Sequence, residues 1–322
     1  MRRTYALRIL ALAFVLFIGA CDIDSELECR VGTQGVSATF SPDTWRQAFD
    51  QEIEHPLVID INNRGAYTAD MIISLQTARD YIAVTPTNKE LSIEGKERWN
   101  ECRGTQERVQ FTIEPYRIPI VFQEIETDMA ISACYRYHNE ASAVICVDPE
   151  IGATTAVGKN CRMADKRIGG GQGSPLSVVR VEAPVVRPGD GAHTVDLRIY
   201  VRNHGDGEII AHPQPDDLEL ACSADPEVER NFIWVRGYLD NHLLDCRFRE
   251  DDHGIEGKTR LRADPDVRIE RDERIVLRDY YFDCRADEVA LRGEVEMNLQ
   301  LEMSYFYKES HADQRRVSVR KR

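Results

Sequence analysis

Hydrophobic residues recur at every second position along much of this chain, and that period decides what it can fold into. Val195, Leu197, Ile199 and Val201 alternate with Asp196, Arg198, Tyr200 and Arg202. Leu57, Ile59 and Ile61 share one face, as do Val109, Phe111 and Ile113. The longest run goes from Val295 through Met297, Leu299, Leu301, Met303 and Tyr305 to Tyr307. Successive side chains of a strand point to opposite faces, so this pattern makes half-buried β-strands. Helical spacing stands out once, at Trp45, Phe49 and Ile53 behind Ser41-Pro42, where it predicts a short helix. The chain is expected to be all-β.

Two of these strands have partners elsewhere in the sequence. Leu57 to Ile61 runs into Asn63-Arg64-Gly65, and Leu197 to Val201 runs into Asn203-His204-Gly205. Asn and Gly suit a tight turn after each strand. Met129, Ile131, Tyr135 and Tyr137 likewise match Leu299, Leu301, Tyr305 and Tyr307. The matches fall in the same order, which points to a duplicated unit with extra residues in its second copy. Tyr135, Tyr137, Tyr305 and Tyr307 are in phase with their strands' apolar residues, so packing is expected of them before ligand stacking.

Strands joined by short turns without crossover helices describe antiparallel sandwiches. The strand-Asn-x-Gly element resembles tandem immunoglobulin-like modules of surface proteins, including cell-adhesion-related domains of archaea and bacteria. Cys134-Tyr135-Arg136-Tyr137, Val144-Ile145-Cys146 and Gly170-Gly171-Gln172-Gly173-Ser174-Pro175 resemble uncharacterised exported proteins of small-genome archaea. The resemblance implies two tandem antiparallel immunoglobulin-like β-sandwiches and a surface location, and it carries no activity. The expected organisation is a signal peptide at 1–20 and an anchor and tether at 21–34. A first sandwich at 35–160, a Gly-rich linker at 161–175, a second sandwich at 176–310 and a basic tail at 311–322 follow.

The leader rests on its own residues. Arg2, Arg3 and Arg8 precede a twelve-residue apolar run, Ile9 to Ala20. As a helix that run spans only about 18 Å, too short for a bilayer core of roughly 30 Å, so it reads as an export signal. Ile18-Gly19-Ala20-Cys21 resembles a lipobox, which implies a diacylated Cys21 at the mature N-terminus. Ordinary secretion, with Cys21 a disulfide cysteine, is the alternative. With Cys21 assigned to lipid, the remaining cysteines are Cys29, Cys102, Cys134, Cys146, Cys161, Cys222, Cys246 and Cys284. An even set suits disulfides in an oxidising compartment, and the absence of Cys-x-x-Cys argues against zinc. The linker leaves five of these cysteines in the first half and three in the second. Either one bridge crosses, with Cys161 the nearest candidate, or thiols stay free. Cys134 and Cys146 flank an expected hairpin near Asn139-Glu140 and are candidates to pair.

A formal charge of −14, with 30% charged residues, disfavours nucleic acid and anionic lipid as partners. Catalytic signatures are missing in any credible context. There is no Gly-x-Ser-x-Gly and no His-Glu-x-x-His, and Ser318-x-x-Lys321 lies in the basic tail. The scattered histidines, among them His138 and His204, read as loop residues. Acidic stretches at Glu250-Asp251-Asp252, Asp264-Pro265-Asp266 and Asp272-Glu273 are interleaved with arginines and read as solvated surface. Asn203-His204-Gly205-Asp206-Gly207-Glu208 offers hard oxygens for calcium but lacks EF-hand spacing.

These residues lead to an expected non-catalytic, lipid-anchored surface protein without metal or other cofactor. It would serve as an adhesion, envelope or assembly module for an unknown surface protein or glycan. A filament or layer subunit, a substrate-capture lipoprotein and a glycan hydrolase with paired carboxylates are the alternatives.

Overall fold

The structure is a computed structural model that describes residues 29–96, 101–150, 160–211, 216–223, 229–246, 258–263, 270–271, 274–275 and 279–321. The leader, Cys21 and the three acidic stretches named above lie outside the described residues. Strands dominate. The first half holds β1 (Val36–Phe40), β2 (Ala48–Asp50), β3 (His55–Asn63), β4 (Ala69–Thr77), β5 (Ile82–Thr85), β6 (Asn88–Ile93), β7 (Thr105–Pro115) and β8 (Glu124–Val147). In the second half β9 (Lys166–Arg167), β10 (Leu176–Val181), β11 (Val185–Pro188), β12 (His193–Asn203) and β13 (Glu208–Ala211) lead to a short helix, α1 (Leu218–Cys222). After it come β14 (Glu229–Arg230), β15 (Phe232–Leu239), β16 (His242–Leu243), β17 (Lys258–Arg260) and β18 (Arg262–Ala263). The hairpin β19 (Glu270–Arg271) and β20 (Arg274–Ile275) precedes β21 (Asp279–Val289) and β22 (Val295–Arg320).

The duplication is visible in the pairing. One sheet runs β1-β3-β7-β5 and another β18-β21-β12-β10-β9. Val36 opposes Asn63 in the first, and Leu176 opposes Asn203 in the second. Both Asn-x-Gly corners close in the same way. The Asn63 side chain accepts the Gly65 N–H and donates to Tyr67 O, and Asn203 does the same with Gly205 and Gly207. The Tyr137 hydroxyl then receives the Tyr67 N–H, while the Tyr307 hydroxyl receives the Gly207 N–H.

The halves are nevertheless not separate bodies. They share a ten-stranded sheet, β14-β13-β22-β8-β4-β6, with β15 also pairing β22. β8 and β22 are antiparallel from Val295↔Val147 to Arg320↔Glu124, with one register shift between Glu309 and Asp313. Tyr135↔Tyr307 and Tyr137↔Tyr305 face each other at the midpoint, and all four rings are buried. The halves therefore exchange strand ends. Asn139 on β8 donates to Leu176 O in the second half. Asp313 and Arg315 on β22 bond to the backbone of Phe40 in the first. Buried residues from Val36 to Val319 form one apolar core.

Several expectations change. No hairpin turns at Asn139-Glu140, because odd positions stay apolar or buried from Met129 to Val147 and carry the strand straight through. The expected tail is part of β22 as far as Arg320, since Val317 and Val319 fill the core and β2 pairs parallel with 318–320. The residues at 170–175 are wedged, not a free linker. Gly32 N–H donates to Gly170 O, Ala66 N–H donates to Gly173 O, and Ser174 is fully buried. Trp45 and Phe49 form no helix. Ser41 to Trp45 is a single turn, and Phe49 lies in β2 opposite Val319.

Candidate functional site

The outer face of the shared sheet carries a depression of about 580 Å³, lined from both halves. Its floor follows from register. Trp234, Ser304 and His138 stand in one row across β15, β22 and β8, and Arg236, Glu302 and Glu140 stand in the next. Even-numbered residues point outward here because the odd ones fill the core. His138 therefore lies mid-strand and not in the expected loop.

Asp216, in the lead-in to helix α1, lines one side. Asp217 caps the helix by accepting the Leu220 N–H, and Ala221 packs with Cys134, Ile210 and Phe306 on the outer face. A disulfide, Cys134–Cys222, ties the helix to β8. Arg136 then bridges the helix lead-in and β4, donating to Asp216 Oδ1 at 2.8 Å and Asp70 Oδ2 at 3.1 Å. Next to the lining residue His138, Tyr67 lies edge-on to its ring, with Arg30 over Tyr67 and ion-paired to Glu140. Burial, then the Glu140 charge, pushes the Tyr67 hydroxyl pKa up.

Within this frame the polar groups converge. His138 Nδ1 is 3.3 Å from Ser304 Oγ, and its Nε2 is 3.4 Å from Glu140 Oε1. The order resembles a nucleophile, base and acid, but Ser304 sits between two paired strands. Its neighbouring amides serve the sheet, so an oxyanion would meet no focused pair of donors. Trp234 Nε1 is buried without a hydrogen-bond partner. The arrangement suits holding a ligand that both donates and accepts.

A second depression, about 390 Å³, lies on the outer face of the β12–β21 sheet. It neutralises itself. Arg198 pairs with Asp283 at 2.9 Å, and Arg285 and Arg187 pair with Asp196. The hydrogen bond that Arg198 donates to Asp283 strengthens the hold of Arg198 on its proton.

The expected sites sort as follows. Cys29 pairs with Cys102, Cys134 with Cys222, Cys146 with Cys161 and Cys246 with Cys284. One bridge does cross the halves, but it is made by Cys134, and Cys161 closes locally. Cys134 and Cys146 cannot meet, being twelve residues apart on one strand and so about 40 Å distant. In the calcium candidate, Asn203 Oδ1 already accepts from Gly205 and Tyr307, and Glu208 pairs with Arg230. Among the described residues no cluster of three or more metal-ligating side chains occurs. Sequence reasoning did not single out Trp234, Ser304 or Glu302 as site residues. Their outward phase was legible, but the neighbours supplied by other strands were not. No protein-family model and no curated protein matches the chain.

Proposed function

We propose that this chain is a non-catalytic, lipid-anchored surface protein that binds a neutral glycan in the depression lined by His138, Trp234 and Ser304. The lipobox-like Cys21 and the export leader support the anchor. Four disulfides are the usage of an oxidising compartment. The two halves are read as immunoglobulin-like sandwiches whose shared sheet acts as a rigid adhesion or envelope module.

The observation that carries the ligand class is the row Trp234, Ser304 and His138 beside Arg236 and Glu302. An indole face takes the apolar side of a sugar ring, and mixed donors and acceptors take its hydroxyls. Anionic ligands meet Asp70, Asp216 and Glu302 in a chain of net charge −14. Calorimetric titration with neutral oligosaccharides tests the reading. Trp234→Ala is expected to weaken binding about tenfold or more, equivalent to at least about 1.4 kcal/mol. Binding that ignores Trp234, or no saccharide binding at millimolar concentration, would sink it.

A further inference from the structure

The depression occupies one end of a longer surface. On the outer face of the shared sheet, register sets three successive rows across β15, β22 and β8. Trp234, Ser304 and His138 form the first, Arg236, Glu302 and Glu140 the second, and Tyr238, Gln300 and Ser142 the third. The third row lies beyond the residues that line the depression. Its side chains share the outward phase, because Val235, Leu239, Leu299 and Leu301 fill the core on the other face. Gln300 and Ser142 are exposed, and Tyr238 is half-buried. At the edge of the sheet, β16 sets Leu243 directly opposite Tyr238. Paired residues stand on the same face, so Leu243, 57% exposed, extends the tyrosine ring into an apolar strip. An exposed leucine by itself is ordinary, but one seated beside an outward-facing tyrosine makes a platform.

The first and third rows therefore repeat one composition: an aromatic ring on β15, a hydroxyl or amide on β22 and a polar side chain on β8. Four strand residues separate Trp234 from Tyr238, a distance of about 14 Å, farther than one sugar ring reaches. A surface that repeats its chemistry along a strand is matched by a ligand that repeats its own. We infer that the depression is one end of a groove that binds a linear neutral glycan along β15, with Tyr238 and Leu243 as a second sugar subsite. This inference rests on the neutral-glycan reading above. Charge favours an uncharged chain as occupant. In the middle row Arg236 faces Glu302, and Glu140 is ion-paired to Arg30, so a polyanion or a polycation would meet a like charge there. The third row carries no charge at all. Two weak sugar contacts joined by one chain reinforce each other, because the second forms at a high effective concentration once the first is made.

Calorimetric titration with neutral glucose, mannose and N-acetylglucosamine oligomers, each from monosaccharide to hexasaccharide, is the test. In a series that binds, affinity is expected to rise about tenfold or more from disaccharide to hexasaccharide. Tyr238→Ala and, separately, Leu243→Ser should remove most of that gain and leave disaccharide affinity unchanged. Trp234→Ala should weaken binding at every length. Leu243 is mostly exposed, so its variant reads the subsite even if the tyrosine variant fails to fold. Trp234-dependent binding that is equal at all lengths would overturn the second subsite and leave the glycan reading standing. A gain with length that survives both Tyr238→Ala and Leu243→Ser would also overturn it, because the chain then leaves the depression by another path. Absence of binding by every oligomer would sink the glycan reading and the groove together.

Discussion

At the scale of single residues, the two Asn-x-Gly corners show why glycine stands where it does. A Cβ on Gly65 would land on the Tyr137 hydroxyl and press on Gly173 O, and one on Gly205 would meet the Tyr307 hydroxyl. Gly65→Ala is therefore expected to destabilise by about 2–3 kcal/mol in urea unfolding. Gly169→Ala, with open space around it, should leave the midpoint unchanged. Both motifs were legible because local spacing records a turn and a phase. Glu309 was not, since its surroundings come from Asp206 and from the packing of distant strands. Burial, then the Asp206 charge, raises its carboxyl pKa to about 7. A folded-state value above the unfolded one means the fold prefers the protonated acid. Its stabilising contribution is full below the unfolded carboxylate pKa and fades as pH rises toward 7. Urea midpoints should fall between pH 5 and pH 8 by the equivalent of about 2 kcal/mol, and Glu309→Gln should flatten that slope.

At the scale of elements, β8 and β22 were half legible. Their alternation was plain, yet Asn139-Glu140 looked like a turn because asparagine favours turns. Tertiary context overrides that preference: Asn139 is buried and its amide donates to Leu176 O. The unbroken odd-numbered phase through Ala141, Ile145 and Val147 was the signal against a turn. On β22 the register shift adds two residues relative to β8, from Glu309 to Asp313 against Ala133 to Ile131. An even insertion preserves the phase, so Val317 and Val319 still face the core. Deleting residues 311–322 removes those side chains and leaves β2 and the first five residues of β8 without a strand partner. The loss should be at least about 3 kcal/mol from the two valines alone, read as a lowered unfolding midpoint or failed secretion. A dispensable tail would give no change.

At the scale of the whole molecule, cysteine parity carried more than any single motif. Five cysteines before the Gly-rich segment and three after it required a crossing bridge or free thiols, and Cys134–Cys222 supplies the crossing. Its identity was not legible, because the nearest cysteine along the chain is not the nearest across a shared sheet. This bridge has two separable effects. It closes 88 residues, against 15 for Cys146–Cys161, so the chain-entropy limit for its loss is roughly 4.6 kcal/mol against roughly 3. It also holds α1, whose lead-in residue Asp216 lines the binding depression and pairs with Arg136. Replacing both Cys134 and Cys222 with Ser should lower the unfolding midpoint more than replacing Cys146 and Cys161. Saccharide affinity measured well below both midpoints should fall only in the first variant. Equal affinity in the two variants would separate α1 from the ligand and leave the crossing bridge a role in stability alone.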